Sequence, residues 1–358
     1  MIEEVIKNKK SDFIPVGWKS LKIGDFLSLE YGKALKEKDR NGGNVFVYGS
    51  NGLIGFHNKR LVEGPGVIVG RKGSAGEVTY CDRDFYPIDT AYFVKTDLNI
   101  KFVYYLLKNV DFKKIVGSSA VPGLNRNDVC SQKIKIPIEE KERNEITKIL
   151  SSLDDKIELN RKINSNLEKI ASLLFKQWFI NTNEKGFKTI RLGDFFPIKT
   201  GKKDANIAIK NGKYPFFTCS QDILFTDNFS FDSSSILLAG NGDFNIKWYE
   251  GKFEAYQRTY VLTPYKKELL GFLYFLMDYF LDDITVGHRG SVIKFITKGM
   301  IEDFEVKIPI DKDFNNKAKF FYEIIQVINF YEKEIKNLSQ IRDFLLPRLM
   351  NGKIRVKI

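Results

Sequence analysis

The stretch "KIKIPIEEK" at residues 133–141 is closely matched by "EVKIPIDKD" at residues 305–313. The two Ile-Pro-Ile motifs lie 172 residues apart, which is close to half of a 358-residue chain. A repeat with such a long period is typical of a duplicated structural unit. The motif therefore predicts the end of each copy, and the question is what else the two copies share.

Further matches occur in the same order along both halves of the chain. The segment "LKIGDFLSLEYGK" (21–33) matches "IRLGDFFPIKTGK" (190–202), and "GVIVGRKG" (66–73) matches "SILLAGNG" (235–242). Two apolar runs typical of helices follow, at residues 101–116 and 269–284. Two unrelated domains would share this order only by accident, so the sequence predicts a tandem duplication.

After each Ile-Pro-Ile motif, apolar residues recur every three or four positions over a long stretch. This period predicts a long amphipathic helix after each module. The apolar stripe along each helix must be shielded from water, and the other long helix is the simplest cover. The predicted fold class is α+β, with two repeated mixed α/β modules and two long helices that pair as an antiparallel coiled coil. Parallel pairing is the alternative. The predicted helix-pairing residues are Leu150, Leu153, Ile157, Leu167, Ile324, Ile328, Tyr331, Ile335 and Leu338.

Charge and cysteine content restrict the kinds of partner and compartment. The chain has 57 Lys and Arg residues against 45 Asp and Glu residues, a formal charge of +12, which favours a polyanionic partner. Residues 139–185 contain nine of each sign, so the first long helix is better suited to a protein partner. Three scattered cysteines, no apolar span and no leader pattern predict a cytoplasmic protein with reduced thiols and no membrane contact.

The glycine-rich segment 64–76 does not have the spacing of a phosphate-binding loop. One interpretation is a buried strand that turns through glycines. The other is an exposed tip on which Arg71, Lys72 and Ser74 contact DNA, since arginine suits bidentate contact with guanine or phosphate. The two interpretations are compatible. Asn241, which follows the matching strand of the second copy, is the candidate DNA-binding residue there.

Two Gly/Ser-rich loops, residues 117–129 and 286–295, fall at the same point of the repeat. Each is either a surface connection or a loop that contacts DNA. The candidate DNA-binding residues in these loops are Asn125, Arg126, His288, Arg289 and Lys294.

The sequence does not favour an enzyme. No Pro-Pro dipeptide occurs, so the Asn/Asp-Pro-Pro-aromatic motif of amino-methyltransferases is missing. The acidic pair Glu139-Glu140 lies at a helix start, where the helix dipole alone accounts for it. His57 and His288 are the only histidines and have no ligand partners at metal-binding spacing. We predict no catalytic residue and no metal site.

Taken together, these segments resemble the specificity (S) subunit of type I restriction-modification systems. The motifs that carry the resemblance are "IPVGWKSLKIGDFLSL" (14–29), "GVIVGRKGSAGEV" (66–78), "GLNRNDVCSQKIKIPI" (123–138) and the long helical segments 146–179 and 332–356. The resemblance implies a non-catalytic DNA reader in which two target-recognition domains each read half of a split site. The predicted divisions are an arm (1–18), the first domain (19–138), the first spacer helix (139–185), the second domain (186–310), the second spacer helix (311–350) and a basic tail (351–358).

The resemblance also implies partners. Besides double-stranded DNA, these are two methyltransferase (M) subunits and a restriction (R) subunit, which would bring S-adenosylmethionine, ATP and Mg; this chain would bind no cofactor. Because the first helix is neutral, we expect exposed apolar side chains near Leu174, Phe175, Trp178 and Phe179 to dock the M subunit. The alternative is a coiled-coil scaffold or adaptor without sequence-specific DNA binding.

Overall fold

The computed structural model describes residues 14–116, 123–182, 186–285 and 295–357. Two long helices, α3 (Glu140–Phe175) and α7 (Phe314–Met350), follow the two modules. The chain divides into two compact units, one of residues 1–159 with 335–358 and the other of residues 160–334. Each unit therefore contains one module and a part of both long helices.

The first module is built from a four-stranded sheet, a three-stranded sheet and short helices. The four-stranded sheet has the order β2-β8-β5-β6, and the three-stranded sheet has the order β4-β3-β7. All five residues of the central strand "GVIVG" are buried, as expected for a strand covered on both faces. Its elements are β1 (Trp18–Lys22), β2 (Leu27–Tyr31), β3 (Val45–Gly49), β4 (Gly52–His57), β5 (Gly66–Gly70), β6 (Val78–Cys81), β7 (Phe85–Pro87), β8 (Ala91–Thr96), α1 (Ile100–Lys108), α2 (Arg126–Ser131) and β9 (Lys133–Pro137).

The second module contains one six-stranded sheet in the order β11-β16-β14-β15-β12-β13. Its largest buried helix, "LGFLYFLMDY", is apolar on nearly all sides and lies in a core that also includes residues of both long helices. Its elements are β10 (Phe187–Arg191), β11 (Ile198–Thr200), β12 (Tyr214–Phe217), β13 (Leu224–Thr226), β14 (Phe231–Ala239), β15 (Ile246–Ala255), β16 (Thr259–Leu262), α4 (Leu270–Tyr279), α5 (Leu281–Thr285), α6 (Lys298–Glu302) and β17 (Glu305–Pro309).

The repeated Ile-Pro-Ile motif ends the last strand of each module, and that strand pairs with the first. In the first module β1 and β9 are antiparallel, with Trp18 opposite Pro137. In the second module β10 and β17 pair in the same way, with Phe187 opposite Pro309. The two ends of each module are therefore adjacent where a long helix begins. This shared arrangement accounts for the repeated Ile-Pro-Ile motif.

The long helices pair antiparallel within each unit, which confirms the predicted fold class. In the first unit Arg342 Nη1 donates to Asp154 Oδ1 at 2.8 Å. In the second unit Asn160 Nδ2 donates to Glu334 Oε2 at 2.8 Å, and Asn164 Nδ2 donates to the carbonyl of Ile328 at 3.3 Å. Rising numbers in α3 thus meet falling numbers in α7. Of the predicted pairing residues, Leu150, Ile157, Ile324, Ile328 and Ile335 are buried, and Leu153, Leu167, Tyr331 and Leu338 are partly buried.

Asp154 holds together three elements of the first unit. It accepts from Arg342 of α7 and, at 2.7 Å, from the phenol of Tyr105 in α1. We expect Asp154→Ala to lower the free energy of unfolding by about 1–3 kcal/mol, because two partly buried donors lose their acceptor. Asp155→Ala is the matched control, since that side chain is 68% exposed and, among the described residues, forms an ion pair with Lys101 alone. Denaturant unfolding of both variants measures the difference, and equal stabilities would contradict the assignment.

Candidate nucleic-acid interface

Two of the predicted DNA-binding loops meet at one place in the first module. The end of β5 and the start of α2 enclose a cavity of about 270 Å³, which we call the first notch. It is lined by Tyr31, Arg71, Lys72, Tyr92, Gly123, Leu124, Asn125 and Arg126. Residues more than fifty positions apart in sequence therefore form a single concave, positively charged surface.

Two guanidinium groups lie against one aromatic ring in the first notch. The Cζ atoms of Arg71 and Arg126 lie 4.9 and 5.4 Å from the centroid of the Tyr31 ring. Arg71 Nη1 also donates to the carbonyl of Asp89 at 3.0 Å. A guanidinium has five N–H donors, so Arg71 is oriented while most of its donors are left for a ligand. Such a planar, oriented donor set suits a phosphate or the O6 and N7 atoms of guanine.

Backbone hydrogen bonds fix the frame of the first notch. The amide of Leu124 donates to the carbonyl of Arg71 at 2.8 Å, and the phenol of Tyr92 donates to the carbonyl of Leu124 at 3.0 Å. Burial raises the pKa of Tyr92, so the phenol remains protonated and keeps donating. A Cβ at Gly32 would lie 2.1 Å from the carbonyl oxygen of Ile88, so only glycine fits where the strand leaves the sheet.

The other predicted DNA-binding residues of the first module are Lys72, Ser74 and Asn125, and their contacts do not single them out as DNA ligands. Lys72 is exposed, and Ser74 Oγ donates to Asn51 Oδ1 at 3.3 Å. The side chain of Asn125 accepts from the amide of Asn127 at 2.8 Å and caps α2. Capping alone accounts for an asparagine at that position. Contact of these three side chains with DNA stays a prediction.

The second module has a larger cavity of about 600 Å³ with the same frame, which we call the second notch. Here the amide of Ile296 donates to the carbonyl of Gly240, and the phenol of Tyr260 donates to the carbonyl of Ile296, both at 2.8 Å. A Cβ at Gly201 would lie 2.0 Å from the carbonyl oxygen of Ala255. The second notch is lined by Thr200, Gly240, Asn241, Gln257, Arg258, Tyr260, Phe295 and Ile296.

Asn241 lies in the second notch at the position that Lys72 occupies in the first, because Asn241 pairs with Phe295 as Lys72 pairs with Gly123. His288, Arg289 and Lys294 lie outside the described residues. Gln257 and Arg258 line the notch but were not among the sequence candidates. The repeat could have located them, because Tyr92 and Tyr260 correspond at an offset of 168 residues, but this tyrosine is nearly all that the two segments share.

The expectation of exposed side chains at Phe175 and Phe179 is wrong, because both are only 1% exposed. The end of α3 and the π-helical turn Lys176–Ile180 that continues it belong to the core of the second module, where both rings pack against Phe272 of α4. Leu174 and Trp178 are partly buried against the same core. These aromatic side chains therefore attach the helix to its own module.

Arg355 of the predicted basic tail forms hydrogen bonds within its own unit. Arg355 Nε donates to Glu142 Oε1 at 2.8 Å, and its Nη1 donates to the carbonyl of Val16 at 2.8 Å. Trp18 Nε1 donates to the same carboxylate oxygen at 3.2 Å. The guanidinium of Arg355 is thus committed to a buried carboxylate of its own unit.

Among residues 14–116, 123–182, 186–285 and 295–357, no three His, Cys, Asp or Glu side chains are grouped as metal ligands. His57 is buried, and its Nδ1 accepts from the amide of Asn41 at 3.3 Å. No described helix combines the length and the apolar character needed to cross a bilayer.

The same duplication is visible in a comparison with known families. The model of the type I restriction modification DNA specificity domain matches the chain twice, at residues 15–169 and 184–340. The chain belongs to this family. Each match to the specificity-domain family covers one module, most of the long helix that follows it and therefore one notch.

Individual members of the specificity family show how far the similarity extends. The chain is 40% identical over 174 residues to the specificity subunit of the type I restriction enzyme EcoDI of Escherichia coli, which covers 47% of this chain and 38% of that subunit. It is 28% identical over 304 residues to the MjaIX specificity subunit of Methanocaldococcus jannaschii, which covers 72% of this chain and 69% of that subunit. The EcoDI similarity thus spans little more than a third of that relative.

A solved structure of the family has the same fold. The S subunit of a type I restriction-modification system of Mycoplasma genitalium superposes with a TM-score of 0.67 at 21% identity, over 95% of this chain and 97% of that one. At this identity the likeness shows the fold alone. The arrangement of paired long helices and repeated modules is therefore shared with the family.

Proposed function

We propose that this chain is the DNA sequence-specificity subunit of a type I restriction-modification complex and that each module reads one half of a bipartite site. The observation that carries the proposal is the pair of notches. The two notches have the same backbone frame but differ in nearly every polar side chain that lines them. A common frame with a changed lining is what two readers of different sequences require.

The chemistry of the lining residues supports base reading as well as phosphate binding. Arginine donates in bidentate fashion to guanine, and asparagine and glutamine do so to adenine. The excess of Lys and Arg over the whole chain supplies the sequence-independent attraction to phosphates. Arg71 and Arg126 in the first notch, and Asn241 in the second, are the predicted residues that fit this role best.

The chemical steps belong to other subunits in this proposal. Two M subunits carry S-adenosylmethionine and transfer a methyl group to adenine N6 after the base is turned out of the helix, since a stacked base cannot be reached. An R subunit uses ATP and Mg to translocate and cleave DNA. In this proposal the present chain recognises the DNA sequence and binds no cofactor of its own.

The surface of the long helices supports two copies of one partner. The segment "NLEKIASLLFKQWF" (166–179) is repeated as "NLSQIRDFLLPRLM" (337–350), an offset of 171 residues. At this offset Ile170 corresponds to Ile341, with 49% and 48% exposure, and Leu173 corresponds to Phe344, with 67% and 54% exposure. The chain therefore presents the same exposed apolar pair once in each unit, as binding of two identical M subunits requires.

Charge substitutions in these apolar pairs test the docking of the M subunits. We expect Leu173→Glu to remove one M subunit, Phe344→Glu to remove the other, and the double variant to bind neither, because each carboxylate would be desolvated in an apolar interface. Leu53→Glu is the control, since it alters an apolar side chain that is also exposed, at 48%, but lies in a sheet of the first module. The masses of the reconstituted complexes decide the matter. Unchanged masses, or loss of both subunits from a single variant, would contradict it.

Arg71 gives the most direct test of DNA reading by the first notch. We expect Arg71→Ala to weaken binding to the preferred sequence by about 1–3 kcal/mol and to relax preference at one position of one half-site. Lys113→Ala is the charge-matched control, because Lys113 is exposed in the first module but does not line the notch. Selection from randomised duplexes, with the affinity measured at several salt concentrations, gives both quantities.

The same experiment separates the proposal from the alternative of a scaffold protein. A uniform loss over all sequences, with a smaller salt slope, would make Arg71 a phosphate contact. A wild-type chain without any salt-sensitive DNA binding would favour a scaffold or adaptor.

A further inference from the structure

The turn between β15 and β16 brings two polar side chains into the second notch. Gln257 and Arg258 are both exposed and both line the cavity. The matching turn of the first module, between β7 and β8, contains Asp89 and Thr90. There the carbonyl oxygens of Asp89 and Thr90 accept from Arg71, at 3.0 Å from Nη1 and 2.9 Å from the amide. The turn supports the arginine in one module and carries its own polar side chains in the other.

Arginine lines both notches, but Arg71 and Arg258 come from different segments of the repeat. In the first notch Arg71 directly follows β5, whereas in the second notch the strand register puts Gly240 at that position and Asn241 at the position of Lys72. Arg258 supplies the guanidinium from the neighbouring turn instead. Its backbone is fixed, because the amide of Gly240 donates to its carbonyl at 2.8 Å, and the amide of Gln257 donates to the carbonyl of Lys203 at 2.9 Å.

The polar side chains that line the second notch have hydrogen-bond donors available for a ligand. Within the part of the chain that the structure describes, the side chains of Asn241, Gln257 and Arg258 have no hydrogen-bond or ion-pair partner. Lys247 of β15 differs, since its Nζ donates to the carbonyl of Ser220 at 2.8 Å and to Asn245 Oδ1. Three unpartnered polar side chains on fixed backbone around a concave surface are suited to a ligand with complementary edges.

We propose that Arg258 reads a guanine and Gln257 an adenine in the half-site of the second module, with Asn241 beside them. Arginine matches the two acceptors of guanine, and glutamine matches the donor and acceptor of adenine. The inference rests on the proposed function and adds to it the residues that read the second half-site and the bases they select.

The test compares Arg258→Ala, Arg258→Lys and Gln257→Ala with wild type by selection from randomised duplexes, using the full chain with its M subunits. We expect both arginine variants to lose preference for one guanine of one half-site by roughly ten- to a hundred-fold, because lysine keeps the charge but not the bidentate fork. Gln257→Ala should lose preference for an adenine of the same half-site. Lys188→Ala is the control, since this exposed lysine lies in β10, outside the notch.

Each outcome has a defined meaning. An even loss over all sequences in Arg258→Ala that Arg258→Lys restores would make Arg258 a phosphate contact and overturn the inference. If all three variants kept the wild-type sequence preference, the inference would also be overturned. The proposed function would still stand in that case, provided that the wild-type complex itself prefers a sequence. A wild-type complex without sequence preference would refute the proposed function and the inference together.

Discussion

Exchange of residues 186–310 for the matching module of a relative is expected to change one half of the recognised sequence completely and to leave the other half unchanged. All residues that line the second notch lie inside this range. β10 and β17 pair antiparallel, with Phe187 opposite Pro309, so the two ends of the exchanged module are adjacent. The exchange therefore replaces the whole second module and its notch without opening the first module.

The design of the chimera has one structural condition. Phe175 and Phe179 of the helix end pack on Phe272 inside the exchanged range, with ring centroids 6.0 and 5.0 Å away. The donor module should therefore carry an aromatic residue at that position. Maps of methylated adenine from cells with the chimera and from cells with the reciprocal exchange of residues 19–138 give the result. A change in both halves after a single exchange would refute the two-reader account.

Phe321→Ala is expected to cause the largest loss of stability of any single substitution considered, about 3–5 kcal/mol, because it empties a fully buried aromatic site. Phe321 lies on α7 and is 0% exposed. Its ring centroid lies 5.5–6.1 Å from those of Phe175, Trp178, Phe179, Phe275 and Phe320. The substitution would thus remove packing contacts that both long helices make in the core of the second module.

Phe330→Ala provides the matched control on the same helix. Its side chain is 63% exposed, so we expect a change within about 0.5 kcal/mol. Denaturant unfolding, followed by a probe in each unit, measures both variants. Equal stabilities for the two variants would contradict the assignment of the helix end to the core of the second module.

The repeat, the closing strands and the antiparallel helices were predictable because each leaves a local or periodic signal. The Ile-Pro-Ile motif marks β9 and β17, and the apolar period marks α3 and α7. The apolar stripe of a long helix does not by itself indicate which surface packs against it. Phe175 and Phe179 satisfy the helical period equally well against another subunit or against their own module, and burial of Phe272 and Phe321 beside them decides for the module.

The notches were only partly predictable because they are assembled from distant segments. Arg71 and Arg126 were found from glycine-rich loops, but their contact with Tyr31 depends on the pairing of β2 with β8. Arg258 lies in a short turn whose sequence hardly resembles that of its counterpart, Thr90. The correspondence becomes clear from the shared tyrosine hydrogen bond, from Tyr92 in one module and Tyr260 in the other, and from the matching backbone hydrogen bonds to the carbonyls of Thr90 and Arg258.

The central claim, one reader in each module, is tested most directly by base-resolution mapping of methylated adenines in cells that carry the wild-type chain and the M subunit proposed as its partner. Two readers on one face of B-DNA favour centres about one helical turn apart. The account predicts two half-sites of about 3–5 bp separated by a fixed, unread gap of about 5–8 bp. A single uninterrupted recognition sequence would contradict it.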